Sequence, residues 1–390
     1  MNRPLYRVPS MAEIAALPWN SYTVVSTFSG CGGSSLGYRM AGFRVLWCNE
    51  FIPAARDTYR ANAAPYTIVD GRDIRTVQPE DILTATGLKA GELDLFDGSP
   101  PCCSFSMAGK RAKGWGKQRT YSDGVQQRTD DLLLECARLL KALQPKTFVA
   151  ENVAGLVRGV AKGYFLDILK ELKACGYKVS ARVLDASWLG VPQARQRLIF
   201  VGVREDLGIE PVHPKPLPYL YTIRDALPGL AGIGTAKGVV PADRPCPTIL
   251  THGNRFTQSE RTAIDAPPVE PETDISRFAI GKEWDKMGKP GTQSDKYFQL
   301  VRPALDQPCP TVTATAGCGS AAGVCHPTER RKFSIAELKR LCGFPDDFVL
   351  TGTYAQQWER LGRAVPPVMM MHIAAAIRDN ILAKIRRDNP

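Results

Sequence analysis

The chain has 390 residues, 44% hydrophobic and 23% charged, and 50 Lys and Arg against 39 Asp and Glu leave a formal charge of +11. No apolar run nears the roughly 18–20 residues of a membrane helix, and the first twenty residues hold no signal-peptide h-region. Eleven irregularly spaced cysteines argue against a disulfide framework and for a reducing, cytoplasmic compartment.

In chain order, "TVVSTFS" (23–29) reads as a strand that runs into the glycine turn "GCGG" and the helix pattern "SSLGYRMAG". "FRVLWCNE" is a second strand and "PAARDTYRANA" a helix. "LDLFDGSPP" is a strand stopped by proline, and "DDLLLECARLLKALQP" has apolar positions at helical spacing. "TFVAENV", "FLDILKELKACG", "YKVSARVLDA" and "RLIFVGV" read as strand, helix, strand and strand. Such alternation predicts an α/β fold with a doubly wound, mostly parallel sheet. Residues 205 to about 325 are rich in Pro, Gly and Thr without helical period and read as a second, smaller, loop-rich domain. "FSIAELKRLCGFP" then restores a helix, with Ser334 and Glu337 forming a capping box. "PPVMMMHIAAAIRDNILAKIRR" reads as a single helix whose Met run fills core.

Glycines after the first strand permit a tight turn and close ligand approach, but the spacing is not GxGxxG and no P-loop Lys follows. Glu50 falls at the end of the second strand, where an acid can accept ribose hydroxyls, and Asp73 falls beyond the third, placed to accept an adenine amino group. This set fits S-adenosylmethionine as well as a dinucleotide. Pro100 and Pro101 hold Cys102 rigidly at the sheet's carboxyl edge, where ligands of open α/β sheets bind. A disulfide between Cys102 and Cys103 would be strained, so Cys102 is expected to be a nucleophile and Cys103 a packing residue. Between Met107 and Arg128, six cations face the single acid Asp123, with Trp115 and Tyr121 interleaved, a composition suited to closing on nucleic acid. Cys309, Cys318, Cys325 and His326 lack the short steps of a zinc site, so no metal is expected.

"TFSGCGGSSLGY", "GSPPCCSFS", "ENVAGL", "GVPQARQRLIFVG", "IAELKRLCGFPDDF" and "GRAVPP" together resemble the DNA cytosine-5 methyltransferases in order and spacing. The resemblance implies a class I S-adenosylmethionine-dependent catalytic domain from residues 1–204 plus 330–390, with a target recognition domain at 205–329. It implies that Cys102 adds to cytosine C6, that Glu151 holds N3 and the amino group, and that Arg195 contacts the flipped base or its phosphate. Arg197 is either catalytic or a structural ion pair. Phe28, Ser29, Gly30, Cys31, Gly32, Gly33, Glu50, Asp73, Ile74, Pro100, Arg363, Ala364 and Val365 would line the cofactor site. Ser104, Ser106, Lys110, Arg111, Gln193, Arg244, Asn254, Arg255, Thr311 and Thr313 are the candidate contacts to double-stranded DNA. A monomer associated with the nucleoid, with no membrane partner and with scope for a cognate restriction endonuclease, is the implied setting; transfer RNA is the alternative substrate.

Three positions depart from the family's pattern. Cys103 stands where Gln is usual, Ser26 where the glycine motif often begins with Asp, and Arg363 where Asn is usual near the donor. Arg363 either pairs with an acid or admits a donor carrying an extra carboxylate, carboxy-S-adenosylmethionine, through its carboxylate-matching fork.

Overall fold

The computed structural model describes residues 3–100, 119–120, 124, 126–127, 132–157, 162–229 and 271–388. Cys102, Cys103, Ser104, Ser106, Lys110, Arg111, Arg244, Asn254 and Arg255 lie outside these, as do Trp115, Tyr121 and Asp123 of the basic loop.

Seven strands form one sheet: β1 (Thr23–Thr27), β2 (Arg44–Asn49), β3 (Ile68–Asp70), β4 (Leu95–Gly98), β5 (Thr147–Val153), β6 (Tyr177–Asp185) and β7 (Gln196–Arg204). Their order is β3-β2-β1-β4-β5-β7-β6. β1 to β5 pair in parallel, and β7 runs antiparallel to both β5 and β6. The expected doubly wound, mostly parallel sheet is therefore present. Successive side chains point to opposite faces, and each face has its own core. Val24, Leu95, Val149 and Ile199 belong to one cluster; Val25, Phe96, Phe148 and Phe200 belong to the other. Burial on both faces explains why the strands read as near-continuous apolar runs.

The second face is covered by α3 (Pro79–Thr86), α4 (Leu132–Leu143) and α5 (Lys162–Ala174). The first face carries α1 (Gly33–Met40) and, from far along the chain, α6 (Ile335–Leu341), α7 (Tyr354–Arg363) and α8 (Pro367–Ile377); α2 (Pro53–Asn62) follows β2. Ser334 and Glu337 form the predicted capping box on α6. A second box, Thr353 with Gln356, starts α7, a helix the sequence reading passed over. Met369 and Met370 are fully buried, as core filler should be.

The C-terminal helix is not continuous. A π-turn, Arg378–Leu382, separates α8 from a last helix, Ala383–Asp388. The wider turn keeps Ile377, Ile381 and Leu382 all on the core. Residues 205–329 also hold more helix than their composition suggests. Ala279–Lys286 is helical, with Ile280 and Trp284 packed beside Ile275, Leu300 and Cys325 in a small core of their own. At two turns it is too short to announce itself by period. Ile223, Leu227, Leu305, Cys309 and Val312 instead join the main core. Among the described residues no helix is long and apolar enough to cross a membrane.

α1 lies against α8 at backbone distance. A Cβ on Gly33 would sit 2.3 Å from the Val365 carbonyl oxygen, and one on Gly37 2.5 Å from Met370 Cβ and 2.6 Å from the Pro367 oxygen. Gly37→Ala should cost about 1–3 kcal/mol by overpacking, read from the urea midpoint. Gly163→Ala, with nothing within 4 Å of the added carbon, should be neutral or stabilising by up to about 1 kcal/mol.

Candidate active site

The parallel strands bring their carboxyl ends to one edge, and most of the predicted site residues gather there. β1 ends at Thr27, opposite Gly98 of β4, and Gly98 lies opposite Ala150 of β5. The glycine turn, Pro100 and Glu151 are thus neighbours by register.

The turn is tight. Phe28, Gly30 and Gly32 have φ of 55, 57 and 93°. For Phe28 this is a strained conformation of the sort that concentrates at functional sites. Nothing lies within 4 Å of a Cβ built on Gly30, so its backbone faces open space. Ser29 N–H donates to the Asn49 carbonyl, and Gly30 N–H donates to Glu50 at 2.7 Å. Glu50 also accepts from Ile52 N–H at 2.7 Å. Its carboxyl is buried and pushed above the usual carboxylate range by that burial, with both N–H groups pulling the other way. It keeps lone pairs free to accept hydroxyls. Asp73 caps the 3-10 turn Ile74–Thr76, accepts from Arg75 N–H, and pairs with the Arg75 guanidinium at 3.0 Å. Ile74 beside it is buried.

The far wall comes from the chain's C-terminal segment. Val365 meets Gly33, and Cys31 Sγ approaches the Arg360 carbonyl at 3.7 Å. Arg363 Nε donates to Glu359 Oε1 at 2.7 Å, one helical turn away, and Arg360 lies 3.7 Å from the same carboxylate. Glu359 and Arg360 are both buried at the end of α7, and neither was anticipated. They belong to none of the recognisable motifs, and only the amphipathic period of α7 could have marked them.

Glu151 and Arg197 form an ion pair at 2.6 Å. Arg197 stands opposite Val153 and Ile199 opposite Glu151, so the pair is a diagonal contact on one face of the β5–β7 ladder. Burial raises the Glu151 carboxyl above the usual carboxylate range, and the charges of Arg197 and Arg195 offset only part of that rise. Arg195 takes other partners. It is 1% exposed and donates to the carbonyls of Val312, 3.2 Å away, and Gly362, 2.8 Å away. It ties β7 to the segment after residue 308 and to the end of α7. Gln193, expected at a DNA surface, is instead fully buried, with Nε2 donating to Cys342 Sγ at 3.2 Å. Its short strand, Gln193–Ala194, pairs with Cys309–Pro310 inside the core. Thr311 is half-buried and donates to the Ala194 carbonyl, whereas Thr313 is exposed. Cys309 and Cys325 fall in different cores and Cys318 at the surface. Among the described residues no group of His, Cys, Asp or Glu could hold a metal ion.

Residues 22–379 match the family model described as C-5 cytosine-specific DNA methylase. Type II methyltransferase M1.HphI of Haemophilus parahaemolyticus is 32% identical over 92% of this chain and 87% of its own length. Type II methyltransferase M.NgoPII of Neisseria gonorrhoeae is 30% identical over 95% and 99%. Among solved structures, a candidate DNA modification methyltransferase encoded within an E. coli prophage superposes with a TM-score of 0.65 at 22% identity, over 93% of this chain and all of that one. A Spodoptera frugiperda DNMT2 mutant gives 0.56 at 18%, over 94% and 99%. At these identities the structural likenesses speak to fold alone.

Replacing Arg197 with Met should leave Glu151 without its closest cation and raise its carboxyl further. A carboxyl raised on folding contributes stability below its unfolded pKa and loses it as pH climbs through the folded value. Arg197→Met should therefore cost about 1–3 kcal/mol at pH 8 and clearly less at pH 5, read from urea midpoints at the two pH values. An equal loss at both would show that Glu151 does not feel the ion pair.

Proposed function

Since the chain belongs to the C-5 cytosine-specific DNA methylase family, we propose that it modifies cytosines in double-stranded DNA, each base being flipped out of the duplex before reaction. The observation that carries this is the Glu151–Arg197 pair at the same sheet edge as the glycine turn, one strand from the segment that runs on to Cys102.

Family membership implies S-adenosylmethionine as the donor, and the residues at the turn fit it. Glu50 has lone pairs for ribose hydroxyls, Gly30 leaves room for close backbone approach, and Asp73 with Ile74 lies beyond the third strand for the adenine. The donor supplies an electrophilic methyl carbon. In the proposed chemistry the Cys102 thiolate bonds to cytosine C6, and Glu151 holds N3 and the amino group against the charge that builds. Arg197 keeps Glu151 oriented, and Arg195 braces the wall behind it. With sulfur on C6, C5 would carry the electron pair that takes the methyl group, the donor's sulfonium–methyl bond breaking to leave S-adenosylhomocysteine. A water then removes the C5 proton, and the electrons of that bond expel the thiolate. Unstacking the base costs a few kcal/mol, and the cations between residues 107 and 128 would meet the phosphates on either side.

Residues 205–329 would select the sequence, and the "Type II" names of the relatives suggest a cognate endonuclease. The region's length favours duplex DNA over transfer RNA. Arg363 is held by Glu359, which supports S-adenosylmethionine itself over its carboxylated analogue.

Cys102→Ser should reduce methylation to background and Glu151→Gln should slow it by about 10²–10⁴-fold, both read by bisulfite sequencing of DNA from expressing cells. With both donors present, the product base should carry methyl mass alone. Carboxymethyl product would assign Arg363 to the second donor, and equal transfer to transfer RNA would move the substrate.

A further inference from the structure

Methyl transfer as described gives Asp97 no part, yet its carboxyl is the most deeply enclosed acid at this edge of the sheet. It sits on β4, between β1 and β5, and is 1% exposed. Hydroxyls meet it. Ser26 Oγ donates to Oδ2 at 2.8 Å and Tyr38 OH donates to Oδ1 at 3.0 Å. Ser26 is on β1 and Tyr38 on α1, the two elements that enter and leave the glycine turn. The chain of contacts continues. Ser29 Oγ, with one proton to give, lies 2.9 Å from Ser26 Oγ and 3.0 Å from the Ser26 carbonyl, and Ser29 N–H donates to Asn49. The next residue, Gly30, donates to Glu50. One run of hydrogen bonds therefore joins a carboxyl beneath the sheet edge to the backbone that faces the donor.

Resting on the proposed function and deepening it, we propose that Asp97 is a positioning residue for the methyl donor, its carboxyl acting through Ser26 and Ser29 to set the shape of the turn 28–33.

The physical reason lies in how the hydroxyls share protons. An ionised carboxylate accepts from Ser26 and Tyr38 together, which fixes both hydroxyls as donors toward it. A protonated one must itself donate through one oxygen, so the hydroxyl on that side turns to another acceptor. For Ser26 that acceptor is Ser29 Oγ, and the direction of the run reverses. Enclosure pushes the Asp97 carboxyl up to about 7, with the charge of Glu151 on β5 adding to the effect. The other titratable groups facing it are the Tyr38 hydroxyl on α1 and the Cys136 thiol on α4. The two arrangements therefore exchange near neutral pH. The departure noted in the sequence gains an explanation: with Ser at position 26, the carboxyl comes from the adjacent strand.

The test is calorimetric binding of S-adenosylhomocysteine to the full chain from pH 6 to 8.5. The wild type should bind more tightly as pH passes 7. Asp97→Asn should bind roughly threefold to thirtyfold more weakly, the range network residues produce, with a flat profile. The KM for S-adenosylmethionine should rise by a similar factor while kcat changes less. Should Asp97→Asn fail to fold, Ser26→Ala keeps the carboxyl but cuts the run, and should show the same loss. The exchange Ser26→Asp with Asp97→Ser should restore affinity. Single variants that keep wild-type affinity and pH profile, or an exchange that recovers nothing, overturn this inference alone. A wild type that binds no donor analogue overturns the proposed function with it.

Discussion

The site depends on one backbone contact, the approach of Gly33 to the Val365 carbonyl. No side chain fits there, so the start of α1 can meet the segment that links α7 to α8. Gly37, one turn on, extends the same close approach along α8. The wall of the candidate site beside the glycine turn is thereby assembled from two pieces of chain more than 300 residues apart. Each piece alone would present half a wall. Arg195 adds a second link between the same regions, donating to Val312 and Gly362 from the residue just before β7.

Electrostatics at this edge follows a common pattern. Buried charge is expensive unless it is met, and here each acid is met in its own way. Glu151 has a guanidinium, Glu50 has backbone N–H groups, Glu359 has Arg363 and Asp97 has hydroxyls. The choice of partner tunes each acid to a task. At Glu151 the arginine charges work against burial, at Glu50 the N–H donors hold the carboxyl in place with lone pairs to spare, and at Asp97 burial outweighs the two hydroxyls.

Much of this was legible in the sequence because it is local. Six of the seven strands announce themselves through apolar runs bounded by Gly and Pro, and Glu50 could be placed from its position at a strand end; β3, three residues long, and α3 after it carry too short a pattern to be read. What was not legible is long-range. Gln193 reads as a polar residue in a loop, but a two-residue pairing with Cys309–Pro310 pulls it inside. Arg195 and Arg197 share a motif, yet only the register of β7 on β5 decides which of them reaches Glu151. Asp97 carries no motif, and its hydroxyl partners come from β1 and α1, 71 and 59 residues away. α7 holds several polar residues among its buried ones, so its helical period is partly masked in the sequence before "GRAVPP".

The late docking of α8 onto α1 has a consequence for biosynthesis. During translation the glycine turn emerges about 330 residues before the helix that closes it, so the strands can pair while the face of α1 destined for Met369 and Met370 stays bare. Contacts of such high sequence separation are slow to form and leave apolar surface open to aggregation in the meantime. A nascent chain that stalls before residue 365 therefore leaves one face of the sheet half-clad, with the apolar side of α1 open to solvent.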